Sequence, residues 1–206
     1  MKAQREQRLY SGLDMEMRAT SDTTVDFRGY ATVYDTWYEV AGGPERGGWN
    51  EMVKAGAGSR TLNAKPSVML LINHEGLPLA RTTSGTMTLE EDKRGLIVNA
   101  PTLDLRNPRV QEVYSALDRK DVDEMSFGFR VTRQEWNDDY TERIIGEYDL
   151  NVRGADMSIV TWGANPATVA QIRAAALIDE LRAHAPVPVM SLDHMRAIAT
   201  QVRVHA

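Results

Sequence analysis

Between residues 125 and 131 the chain alternates without a break. Met125, Phe127, Phe129 and Val131 are apolar, and Ser126, Gly128 and Arg130 fall between them. Successive side chains of a strand point to opposite faces, so this stretch predicts a half-buried strand with an aromatic row on one side and Ser126, Gly128 and Arg130 on the other. A helix cannot satisfy a period of two. The rings need a core to cover them, and 206 residues that are 42% hydrophobic and 26% charged can supply one, with appendages.

Other segments agree with a sheet protein. Residues 25–33 are rich in β-formers, and residues 68–72 form a continuous apolar run of strand length that ends in Asn73, His74, Glu75 and Gly76. Residues 86–89 and 96–100 flank a polar stretch closed by Gly95, which predicts a hairpin. Residues 144–152 and 155–162 predict two more strands, divided by Arg153 and Gly154. Helices are fewer. Asn107 as cap and Pro108 at the first position predict one through residue 120, with Val110, Val113, Tyr114 and Leu117 on one face. Asn165 and Pro166 predict another over 167–183, and residues 49–55 read as a short helix ended by Gly56 and Gly58. Residues 41–48, with four glycines and a proline, are loop. After Pro186 and Pro188, Leu192, Met195, Ala199 and Val202 recur at helical spacing.

Charge and composition remove several function classes. The net charge is −5, and residues 87–156 hold 16 acidic against 10 basic side chains, so a protein whose work is gripping phosphate backbones is disfavoured. With no cysteine there are no disulfides, thiolate zinc sites or cysteine nucleophiles. No run of about 18 apolar residues predicts a membrane span, and the polar start of the chain predicts an unexported, cytosolic protein.

Of four histidines, His184, His194 and His205 lie in the region after the predicted helices and read as solvated side chains. His74 stands where a buried strand meets a loop, a place where functional groups collect. Ser126 lies beside Gly128 on the non-aromatic side of its strand, and Asp156 opens a strand where a buried carboxylate needs a partner. Each has a plainer reading: an imidazole satisfied by backbone, a polar residue on a sheet, a carboxylate paired with an arginine. Together they supply what a serine nucleophile needs, a base within hydrogen-bond reach and a third group to orient that base. Their separations permit such a triad on three strands of one sheet. A metal hydrolase using His74, Glu75 and Asp156 is a rival, weakened by the lack of a second histidine at ligand spacing.

In order along the chain, Phe27-Arg28-Gly29-Tyr30-Ala31, Leu70-Leu71-Ile72-Asn73-His74-Glu75, Met125-Ser126-Phe127-Gly128-Phe129, Ala155-Asp156-Met157-Ser158-Ile159-Val160-Thr161 and Ala164-Asn165-Pro166-Ala167 resemble the prohead maturation proteases of tailed bacteriophages. These are serine peptidases distantly similar to herpesvirus assemblin. The resemblance implies an α+β, mainly β fold: a compact, barrel-like antiparallel sheet core flanked by helices. Residues 1–20 would then be an N-terminal arm, 21–183 the catalytic domain, and 184–206 a Pro-containing linker and short amphipathic tail.

The same resemblance implies a serine endopeptidase that cleaves scaffold, or the scaffolding extension of the major capsid protein, and itself, inside an assembling procapsid in the bacterial cytoplasm. It assigns the base to His74, the nucleophile to Ser126 and the third role to Asp156. At that last position the family is expected to carry Glu, so with the shorter Asp either the strand lies closer or Asp156 only supports the site; Glu75, Glu147 and Asp149 are the alternative third members. Gly128 and Arg130 are candidates for the substrate or oxyanion contacts. No metal or other cofactor is implied. The expected partners are capsid protein and scaffold as substrates and further copies of the chain, in a homodimer or higher oligomer within the procapsid, without nucleic acid or membrane. The competing function is an inactive scaffold or core component with the same fold.

Overall fold

The computed structural model describes residues 5–11, 14–161 and 183. The expected helix over 167–183, the linker and the tail therefore fall outside the described residues, Ala183 apart. Twelve strands and two α-helices make up what is described: β1 (Arg5–Ser11), β2 (Glu16–Ala19), β3 (Thr24–Val33), β4 (Tyr38–Val40), β5 (Trp49–Val53), α1 (Ser59–Asn63), β6 (Met69–Ile72), β7 (Glu75–Arg81), β8 (Thr88–Glu91), β9 (Gly95–Asp104), α2 (Pro108–Asp118), β10 (Glu124–Trp136), β11 (Glu142–Asp149) and β12 (Asp156–Val160).

The alternating stretch is the middle of the larger sheet, whose order is β4-β5-β11-β10-β12-β6-β7, with β1 also paired to β10. The thirteen residues of β10 are long enough to serve three neighbours: β1 and β12 on its first half and β11 on its second. Parity does the rest. Phe127 and Phe129 stack with centroids 4.3 Å apart, and Tyr148 of β11 meets both rings edge-on. This row faces the second sheet, β2-β3-β9-β8, whose Val25, Phe27, Leu96 and Val98 are buried in the same core. Gly29 on β3 is buried because the sheets pass closely there: a Cβ on it would lie 3.0 Å from the sulfur of Met125.

The mainly β, α+β class holds, but the core is not a closed antiparallel barrel. Two separate sheets face each other, and two of the pairings, β5 with β11 and β6 with β12, are parallel. All five residues of β12 are buried, as befits an interior strand covered on both faces. The stretch 49–55 is likewise strand rather than helix. Trp49, Glu51, Met52 and Val53 are all buried between β4 and β11, and that burial overrides the local pattern; the helix α1 begins only after Gly58. By contrast α2 starts as its sequence dictates, with the Asn107 side chain accepting from the Arg109 N–H and Pro108 in the first turn. Of the residues expected as an N-terminal arm, 5–11 pair as β1 in the larger sheet and 16–19 as β2 in the smaller.

Candidate active site

Ser126, Ser158 and Asp156 share one face of the larger sheet because β10 and β12 pair with Ser126 opposite Ser158, and Asp156 lies two residues along from Ser158. His74 arrives from above. It is the second residue of the two-residue turn joining β6 to β7, which is closed by the pairing of Ile72 with Glu75. Asn73 and His74 both have positive φ, 52° and 61°, the signature of the turn that suits the right-handed twist of a hairpin. Asparagine tolerates that conformation, but His74 occupies a place where glycine is usual, at about 1 kcal/mol.

Strand β12 holds the turn there. The Asn73 N–H donates to the Ile159 carbonyl at 3.0 Å, the Asn73 side chain accepts from the Thr161 N–H at 3.0 Å, and the His74 N–H donates to Ser158 Oγ at 3.2 Å. The imidazole is thereby folded back over Ser158. Its Nδ1 lies 2.6 Å from Asp156 Oδ2 and its Nε2 lies 2.8 Å from Ser126 Oγ. A carboxylate can only accept, so Nδ1 carries the proton and Nε2 is left to accept from the serine hydroxyl. The Asp156 side chain is 4% exposed and the imidazole 21%, so the carboxylate is screened while the ring keeps an open side. Beside it a groove of about 490 Å³ is lined by Ile72, Asn73, Glu75, Gly76, Leu77 and Arg109.

None of the alternative third members touches the imidazole. Glu75 is exposed, Glu147 pairs with Arg60 and Thr132, and Asp149 pairs with Arg130 and Thr61. The Asp156 side chain reaches the imidazole with β12 lying directly against β6. The ligand set of the metal reading is not assembled: among the described residues no three His, Asp or Glu side chains converge.

Gly128 and Arg130 have other employment. A Cβ on Gly128 would stand 2.7 Å from Arg5 Nη2 and 3.0 Å from Asp156 Oδ1, so the space it leaves is filled by an ion pair. Arg130 is bonded to Asp149 and stands four residues past Ser126, about 13 Å along the strand. Two residues absent from the sequence reading belong here instead. Ser158, fully buried, donates to Asp156 Oδ2 at 2.5 Å, and Arg5 of β1 donates to Asp156 Oδ1 at 2.5 Å. Ser158 was legible from its spacing of two from Asp156 on one strand. Arg5 was not, since 151 residues separate it from its partner.

A family model for the Caudovirus prohead serine protease matches residues 13–181. The chain belongs to that family. Comparison with curated proteins and with solved structures gives no match. Membership makes it, at the level of the family, a serine peptidase of phage capsid maturation. Among the described residues of this prohead protease no helix is long and apolar enough to cross a membrane.

The turn that carries His74 yields a prediction of its own. His74→Gly removes the imidazole and relieves the left-handed position, and is expected to abolish peptidase activity while the free energy of unfolding stays level or rises by up to about 1 kcal/mol. Urea unfolding checks this, and a clearly lower midpoint would mean that the imidazole's bonds hold the turn.

Proposed function

We propose that this chain is a serine endopeptidase that cleaves scaffold or the scaffolding extension of the major capsid protein, and itself, within the procapsid assembling in the host cytoplasm. Ser126 is the nucleophile, His74 the base and Asp156 the residue that orients the imidazole. The observation that carries this is the continuous chain of two short contacts, Ser126 Oγ to His74 Nε2 and His74 Nδ1 to Asp156 Oδ2.

In the acylation step Ser126 Oγ bonds to the scissile carbonyl carbon as its proton passes to Nε2. The imidazolium so formed faces a screened carboxylate, which stabilises it, and it returns the proton to the leaving amine as the C–N bond breaks. Water, deprotonated by the same nitrogen, then releases the acyl group and restores the serine. Family membership supports the substrate class, because the capsid and its scaffold are what a prohead peptidase meets. A fluorophosphonate probe tests the reading with no knowledge of the cleavage sequence. Labelling is expected at Ser126 and is expected to vanish in Ser126→Ala. Folded wild-type protein that takes no label, or a variant that still takes it, would sink the assignment.

A further inference from the structure

Asp156 offers two oxygens, and the residues that occupy them come from different parts of the chain. Oδ2 serves His74 and Ser158, whereas Oδ1 is held by the Arg5 guanidinium. The torsion that turns a carboxylate end over end is broad and nearly two-fold, so a carboxylate bonded at one oxygen alone retains freedom that would loosen the imidazole. A partner on Oδ1 removes that freedom and offsets the charge of a group almost out of contact with water.

Arg5 is placed there by three features. The register of β1 on β10 sets Arg5 opposite Arg130, Gln7 opposite Gly128 and Leu9 opposite Ser126, so the odd-numbered residues of β1 share the face of the nucleophile. The even-numbered residues Glu6 and Arg8 point to the opposite face and are tied into a buried cluster of charges that anchors the strand. Gly128 supplies the opening through which the guanidinium reaches the carboxylate. With Arg5 36% exposed, water can take the place of the guanidinium at Oδ1, so the net contribution of the pair to stability is small. Its geometry has its use in the site.

We infer that Arg5 is a positioning residue of the peptidase, a fourth component that acts through Asp156 and is delivered by the N-terminal strand. It lies upstream of residues 13–181, the part of the chain that matches the family. The inference rests on reading His74, Ser126 and Asp156 as the triad.

The rate of Ser126 acylation by a fluorophosphonate is the test. Arg5→Ala is expected to slow it about tenfold, the worth of one hydrogen bond to a charged group, with the thermal midpoint little changed. Arg5→Lys should keep most of the rate, and millimolar guanidinium chloride should restore part of it to Arg5→Ala where sodium chloride does not. Gly128→Ala leaves Arg5 in the chain but puts a methyl group in its path. It should lose a similar factor, and adding Arg5→Ala to it should cost nothing further. An unchanged rate in Arg5→Ala, or independent losses in the double variant, would overturn the role, as would a loss that neither lysine nor guanidinium recovers. Wild-type protein that takes no label at Ser126 would instead refute the triad beneath it, so the two failures are told apart.

Discussion

Ser126→Ala is expected to lower cleavage of a co-expressed capsid precursor by about 10⁶-fold, and Asp156→Asn by about 10⁴-fold. The first figure follows because the other hydroxyl at the site, Ser158, is fully buried and bonded to Asp156, out of reach of a peptide carbonyl. The second is decided by how an amide would sit among the donors around Asp156. Arg5 needs an acceptor, so the Asn oxygen takes the place of Oδ1 and the NH₂ group turns toward His74 Nδ1 and Ser158. Nδ1 must then accept, the ring proton moves to Nε2, and the nitrogen facing Ser126 Oγ is no longer a base. The geometry would survive while the tautomer is wrong. Intact-mass spectrometry of precursor and fragments after co-expression measures both variants. Cleavage by Ser126→Ala within tenfold of wild type would refute the nucleophile, and an Asp156→Asn enzyme as active as wild type would move the orienting role elsewhere.

How far the sequence led depends on the range over which each signal acts. The period of two at residues 125–131 is local and was sufficient, because parity alone decides which side chains meet the second sheet. The cap at Asn107 and Pro108 is local too. The parallel pairings were not legible, since the apolar runs at β6 and β12 say that both faces are covered but not which way a neighbour runs. Trp49–Val53 reads as helix until Glu51 is seen among arginines 43 and 92 residues away in the chain. At the site, His74 and Ser126 each have a plain reading alone; what singles them out is that together with Asp156 they supply a nucleophile, a base and an orienting group, in motifs that occur in family order. That Arg5 fills the space beside Gly128 is not legible in the sequence, because Arg5 reaches it only through the pairing of β1 with β10.

The largest loss of stability is expected from Glu51. Its side chain is fully buried, with Arg8 at 2.5 Å, Arg143 at 2.9 Å, the Tyr38 hydroxyl at 2.5 Å and the Trp49 N–H at 3.1 Å. Glu6 completes the cluster by bonding both arginines, so two positive and two negative groups balance on the aromatic side of the sheet, with Arg8 over the Phe129 ring and Arg143 over Trp136. Burial by itself would push the Glu51 carboxyl up; Arg8 above all, with Arg143, outweighs it and holds the group at about 2. A depressed carboxyl stabilises the fold above its unfolded value and loses that contribution as pH falls toward the folded one. The wild-type unfolding free energy should therefore decline between the ordinary carboxylate range and about pH 2. Glu51→Gln leaves two buried arginines facing one carboxylate and is expected to cost about 3–5 kcal/mol at neutral pH, and to flatten that acid dependence. Chemical denaturation across pH measures both, and a loss below about 1 kcal/mol would mean that water reaches the cluster. Since Glu6 and Arg8 belong to β1, loosening the cluster frees the strand that carries Arg5. Activity should fall along with stability in Glu51→Gln, whereas Arg5→Ala should lower activity alone, which separates the anchoring of the strand from what the strand delivers.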